Sequence, residues 1–389
     1  MTKEWIKMII HHLPDGDTVH KYNQCIVILF SGKRHVISTG PNNGGYREDL
    51  RAVFNQDANP GPGMACVLKD DTYEGHMNVV AKEDLGLPAD KCTGLCTAAS
   101  MEHASIKSLS FKDLTVTAIV TAGIEHNGGR AGDPATFYEE NGSFCAVTDA
   151  CEANDQPDQP AAPSPGTINI LLHINACLDG GTLARTLVTV SEAKTAALQE
   201  LMVRSHTSRG LATGSGTDGI ISICNPDSPL SLTNAGKNSK LGELIGRTVK
   251  SAVKESLFLQ SGLCGKKQRD ILRIMGRFGI DGNSLWKKWE GSHKGNGNKA
   301  IFMDRLDRLR SRSDLVRTSF LMAHVLDLLS WDLISAGEAE EMVSDILERK
   351  TASSRNPKRK AGERKDSFEK DDCLQDLLLL YEDWLLSVK

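Results

Sequence analysis

Three glycine-rich segments carry the polar residues best suited to chemistry on a bound ligand. They are STGPNNGGYRED (Ser38 to Asp49), TAGIEHNGGRAGD (Thr121 to Asp133) and ATGSGTDG (Ala212 to Gly219). Each follows or abuts a predicted strand, where backbone amides and short side chains are free to converge. Turns that demand positive φ would explain any one of them. Three together, carrying Asn127, Arg130, Asp133, Thr217 and Asp218, point to a shared site. Lys194 is a further candidate. On a helix with about 3.6 residues per turn it falls within the stripe made by Leu183, Leu187, Val190, Ala197 and Leu201. A lysine there either runs its methylenes over apolar neighbours to reach water or a carboxylate, or is a partly buried cation beside a substrate. Glu192 projects from the opposite face and cannot pair with it within the helix.

The elements that must position these residues are legible in outline. Strands are predicted at Cys25 to Phe30, Arg34 to Thr39, Asp113 to Gly123, across TINILLHINA and across GIISIC. In TINILLHINA, Ile168, Ile170, Leu172 and Ile174 alternate with Thr167, Asn169, His173 and Asn175, so one face needs a core and the other is ready to meet something polar. Helices are predicted around Tyr46 to Asn55, Thr182 to Ser205 and Leu241 to Leu263. The mixture implies an α/β or α+β domain over residues 1–264, a mixed sheet with flanking helices. Within it, Glu152 to Gly166 is rich in proline and polar residues and reads as an exposed loop. Helical periodicity then takes over at 265–349, followed by a linker at 350–365 with seven basic residues against one acidic, and an amphipathic helix at 366–389. This mostly helical C-terminal region could serve homo-oligomerisation or docking.

Composition excludes several classes. With 389 residues and 40% hydrophobic content the chain can bury a full core. A formal charge of -4 gives no field that argues for nucleic acid or an anionic membrane. No secretion signal and no apolar run near the roughly 20 residues of a membrane span is present, so a cytoplasmic protein is expected. Ten scattered cysteines fit a reducing compartment, and the Cys92/Cys96 and Cys145/Cys151 pairs have no partner pair at zinc-finger spacing. No metal site is expected. GSGTDG from Gly214 to Gly219 matches GxGxxG, but a β-rich segment follows it where a dinucleotide loop would open a helix. No GxxxxGK[ST] motif occurs.

TAGIEHNGGRAGD, GTINILL, LARTLVTVSEAKTAALQEL and ATGSGTDG, in this order, resemble the adenosylcobinamide amidohydrolases, the cobamide-salvage enzymes of archaea and some bacteria. STGPNNGG and LCTAASM (Leu95 to Met101) are similar to the family's segments as well. The resemblance covers approximately residues 20–260 and says nothing of the chain beyond. It implies hydrolysis of the amide between the corrin ring and the aminopropanol arm of adenosylcobinamide. The products would be adenosylcobyric acid and 1-aminopropan-2-ol, for vitamin B12 salvage. The corrinoid substrate itself carries cobalt, and no other cofactor is implied.

Amide hydrolysis needs an activated water or nucleophile, an oxyanion stabiliser and a proton for the leaving amine. Asp133 or Asp218 could activate water. Backbone amides near Gly128 and Gly214, with Asn127 or Arg130, could hold the oxyanion, and Lys194 or His173 could serve the amine; the plainer alternatives are a salt bridge from Asp133 to Arg130 at i,i+3 and a hydrogen-bonded core histidine at His173. Thr217 or Ser215 is an alternative nucleophile. Gly44, Gly45, Asn169 and His173 join Gly128, Gly214 and Thr217 as expected substrate contacts. Two competing readings are a corrinoid-binding protein without turnover and a hydrolase of another amide or a phosphoester.

Overall fold

The computed structural model describes residues 8–61, 67–135, 137–140, 143–147, 166–292, 298–348 and 369–388. The chain divides into two compact units, Met1–Cys264 and Gly265–Lys389.

The first unit has four layers. A five-stranded sheet is ordered β1 (Met8–His12), β2 (Thr18–Tyr22), β3 (Cys25–Leu29), β6 (Ala52–Asp57) and β7 (Cys92–Thr97), antiparallel except between β6 and β7. A six-stranded sheet is ordered β5 (Gly45–Arg47), β4 (His35–Ser38), β16 (Gly219–Cys224), β13 (Ile168–Ile174), β9 (Leu114–Ala122) and β8 (Ser105–Phe111). Its β13 and β16 are parallel, so a crossover must join them. That crossover contains α2 (Gly180–Glu200), which starts where Asp179 Oδ1 accepts the Thr182 N–H at 2.6 Å. Helix α3 (Lys240–Ser261) is capped by Ser239 and stops at Gly262, whose φ of 70° suits glycine.

Burial follows from the alternation. Ile168, Ile170, Leu172 and Ile174 pack with Leu183, Val190 and Val249 under α2 and α3. On the other side Leu171 joins Ile26, Val53, Leu95, Ile119 and Ile221 between the two sheets. Helix α1 (Tyr73–Val79) closes the remaining face, Met77 packing with Phe54 and Val27. Smaller pairs complete the unit: β10 (Gly128–Gly129) with β15 (Gly214–Ser215), β11 (Phe137–Glu140) with β12 (Ser143–Ala146), and β14 (Cys177–Leu178) with β17 (Ser231–Leu232).

The second unit is helical: α4 (Ile271–Met275), α5 (Gly282–Ser292), α6 (Lys299–Leu309), α7 (Ser313–Ser330), α8 (Ala336–Glu348) and α9 (Glu369–Ser387). Leu285, Phe302, Leu315, Leu326, Val343 and Tyr381 share one core. Buried charge there is paired, Arg277 Nη1 and Nη2 meeting the Asp327 carboxylate at 2.5 and 2.6 Å. No helix among the described residues is long and apolar enough to cross a membrane.

Two expectations need correction. The helix around Tyr46 to Asn55 is absent; β5 and β6 occupy that stretch. In AVFNQD, Ala52 and Phe54 face α1 while Val53 faces the other sheet, a period of two. The second correction concerns the polar face of β13, which is covered by the five-stranded sheet, leaving Asn169 and His173 1% and 0% exposed. The proline-rich stretch at 152–165 and the basic linker lie outside the described residues.

His173 is buried in an ionic cluster. Its Nε2 lies 3.2 Å from Asp17 Oδ2, and Arg34 donates to both Asp17 oxygens at 2.8 Å. Burial works against ionisation of Asp17, yet hydrogen bonds from His173, the Ser31 amide and Arg34 hold its pKa below the usual 3.8. A depressed carboxylate pKa contributes stability that is present above 3.8 and is lost as pH falls through the folded value. Asp17→Asn is expected to cost about 3–5 kcal/mol at pH 7, because it leaves buried charge uncompensated. Urea unfolding at a series of pH values checks this, and the gap between native and variant chains should narrow in acid.

Candidate active site

The glycine segments gather at one end of the six-stranded sheet. β13 and β16 begin there, at Ile168 and Gly219, while β9 and β4 end there, at Ala122 and Ser38. The segment after β9 pairs directly with the segment before β16, Gly128 opposite Ser215 and Gly129 opposite Gly214. Ala131 N also donates to Thr213 Oγ1 at 2.9 Å. On the other flank, Thr39 Oγ1 accepts the Ile220 N–H at 2.9 Å, which sets the start of the Ser38 to Asp49 segment beside the same turn.

Asp218 organises this end. Its Oδ1 accepts from Ser215 Oγ at 2.6 Å and from the Ser215 and Ile168 amides at 3.1 Å, while its Oδ2 takes the Lys194 ammonium in an ion pair. Lys194 reaches it from the inward face of α2 and is 9% exposed. Glu192 points away and meets Lys237 at 3.2 Å. A buried ammonium needs such a partner. Gly214 makes room for it, since a Cβ there would run into the Asp218 carboxylate and sit 2.7 Å from Lys194 Nζ.

Asn127 and Thr217 belong to the same cluster. Asn127 Nδ2 donates to the Gly166 carbonyl, which also accepts from Thr217 Oγ1 at 3.4 Å. Thr217 Oγ1 lies 2.8 Å from Thr167 Oγ1. The donor of Asn127 is thus engaged, and its buried Oδ1 has no partner among the described residues. An orphaned acceptor of this kind is costly unless a ligand N–H or O–H meets it.

Asp133 and Arg130 brace the neighbouring loops. Asp133 Oδ2 accepts from the Arg130 amide at 2.8 Å and from Ser205 Oγ at 2.6 Å. Burial opposes its ionisation, but Ser205, Ser208 and the Arg130 amide outweigh this and keep its pKa below the ordinary value. That makes it a weak base. Arg130 Nη1 donates to the Leu211 carbonyl at 3.3 Å.

Other expected contacts lie apart from this cluster. His173 sits at the far end of β13 with Asp17 and Arg34. Asn169 is beneath the floor, donating to Asn55 Oδ1 at 2.8 Å and to the Cys96 carbonyl at 3.0 Å. Gly44 and Gly45 lie where the segment after β4 turns back into β5, Gly45 with a φ of 79°. Asn55, which also donates to Thr121 Oγ1 at 2.8 Å, was hidden by reading its strand as a helix. Among the described residues no group of three His, Cys, Asp or Glu side chains could hold a metal ion.

The sequence profile of the adenosylcobinamide amidohydrolase family matches residues 10–265. This chain belongs to that family. It is 33% identical over 262 residues to an uncharacterised protein, MJ1613, of Methanocaldococcus jannaschii, covering 66% of this chain and 94% of that one. The crystal structure of the PH0078 protein from Pyrococcus horikoshii OT3 aligns over 71% of this chain and 92% of that one, at 13% identity and a TM-score of 0.32, too slight a likeness to bear on the fold. The segments around Gly128 and Gly214, which meet beside Lys194 and Asp218, lie within the matched residues.

The role of Gly214 can be checked by substitution. Gly214→Ala should force the ion pair apart and cost about 1–3 kcal/mol in thermal unfolding. Gly216→Ala, in a position with open space around it, should change stability by less than about 0.5 kcal/mol.

Proposed function

We propose that this protein hydrolyses the amide between the corrin ring and the aminopropanol arm of adenosylcobinamide, releasing adenosylcobyric acid and 1-aminopropan-2-ol. The observation that carries this reading is the Lys194 ammonium, held by Asp218 at the sheet end where the family's glycine segments meet. Asp218 already accepts several hydrogen bonds and serves as the anchor rather than the base. Lys194 supports negative charge on the carbonyl oxygen in the transition state and gives a proton to the departing amine. The unpartnered Asn127 Oδ1 accepts an N–H of the side-chain amide, and Thr217, exposed at the mouth, meets the carboxamides that fringe the ring. Water supplies the oxygen that remains on the corrin carboxyl.

The test is release of aminopropanol by the full chain from adenosylcobinamide. Lys194→Met should lower kcat by about 100-fold or more while the variant still binds the corrinoid and melts cooperatively. Tight binding by the native chain with no product after prolonged incubation would instead mark a corrinoid-binding protein. Equal turnover of the detached aminopropanol amide fragment would point to a less selective hydrolase.

A further inference from the structure

Strand β6 alternates Ala52, Phe54 and Gln56 with Val53, Asn55 and Asp57. The first set faces α1: Phe54 packs with Met77, and Gln56 Oε1 lies 2.9 Å from His76 Nε2. The second set faces the six-stranded sheet. Val53 shares a core with Leu171 and Ile221, and Asn55 bonds both Thr121 and Asn169. Asp57 stands on that same face, one pleat or about 7 Å further along.

That step leads to the end where the glycine segments meet. Beyond Thr121 and Asn169 come Gly123 and Thr167, joined by the Gly123 N–H to the Thr167 carbonyl at 3.0 Å. Asp57 pairs in register with Thr97 of β7, and Asn59 Nδ2 reaches the Ala98 carbonyl at 3.4 Å. The next residue, Ala99, borders the site, since a Cβ on Gly123 would lie 3.8 Å from Ala99 Cβ and 3.7 Å from Gly166 Cα. Continued along that face, β6 carries Asp57 toward the end of the sheet where Gly123, Gly166 and Thr167 lie, the carbonyl and hydroxyl neighbours of Asn127 and Thr217.

Its bonding differs from that of the other two carboxylates. Oδ1 accepts the Asn59 N–H at 2.9 Å, and among the described residues Oδ2 has no hydrogen bond or ion pair. Burial raises its pKa against the weaker pull of the Asn59 amide. A half-buried carboxylate with one oxygen unbonded among the described residues suits proton transfer.

Resting on the hydrolytic reading above, we propose that Asp57 is the general base that takes a proton from the attacking water. The water oxygen bonds to the amide carbon as its proton passes to Asp57. Collapse of the tetrahedral intermediate then breaks the C–N bond, with the amine taking its proton from Lys194. One water is consumed; acid and amine leave, and the proton on Asp57 returns through solvent to Lys194.

Asp57→Asn keeps the oxygen that accepts from Asn59 and removes the base. In the full chain it should lower kcat for adenosylcobinamide about 100-fold or more, leave corrinoid affinity in absorbance titration unchanged, and melt no lower than the native chain at pH 7. The melt expectation follows from the sign of the shift: a raised carboxylate pKa means the ionised form is disfavoured in the fold above that pKa. Asp57→Glu should retain more turnover than Asp57→Asn. Native turnover with an undiminished Asp57→Asn kcat overturns the assignment alone. Loss of turnover together with loss of the native melt in both variants makes Asp57 a structural residue and overturns it too. Absence of turnover in the native chain removes the hydrolytic reading and this assignment with it.

Discussion

The Lys194–Asp218 ion pair is the constraint on which the site is built. A lysine on the inward face of α2 gives up most of its hydration, and an unpaired ammonium in that position costs several kcal/mol. α2 can therefore pack on the sheet only if an anion comes to it. Asp218 is that anion, and to reach Lys194 it must fold the Gly214–Asp218 turn back on itself, where it also gathers Ser215 and the first amide of β13. The turn closes because Gly214 brings no Cβ into the space the two charges fill. Packing of a helix, shape of a loop and placement of a cation are thus one event.

The two-sheet sandwich supplies the rigid floor. Its interface is apolar through most of its depth, from Ile26 to Ile223, but turns polar at the site end, where Asn55 bridges Thr121 and Asn169. Three polar side chains buried to within 2% of full coverage could lower stability if any one lost its partner. Satisfied as they are, they fix the register of one sheet on the other just below the glycine segments. The far end of the sandwich holds a separate buried cluster, Asp17 with Arg34 and His173. Charged groups of similar type thus serve different ends, and their partners tell them apart.

Much of this was legible in the sequence, and the failures have physical causes. Long runs with a strong period, such as Leu114–Ala122, Ile168–Ile174 and the α2 stripe, declare themselves because both propensity and pattern agree. The convergence of three glycine segments follows from strands that share one sheet. The strand at Ala52–Asp57 did not declare itself: six residues with only three apolar ones give a weak period, and polar Asn55 and Gln56 meet another sheet and α1 rather than water. That misreading concealed Asn55. Alternation within one strand cannot reveal that buried protein groups, rather than a ligand, supply the polar partners of His173 and Asn169. For Lys194, helix geometry could exclude Glu192 but could not name a partner 24 residues away.

The proposed hydrolysis requires that one end of the six-stranded sheet receive the scissile amide of a corrinoid. A structure of the full chain with adenosylcobinamide bound in a turnover-deficient variant tests it most directly. The prediction is that the amide of the aminopropanol arm lies within hydrogen-bonding reach of Lys194, with the ring lying against the glycine segments. A corrinoid seated elsewhere, with Lys194 and Asp218 untouched, would contradict the account.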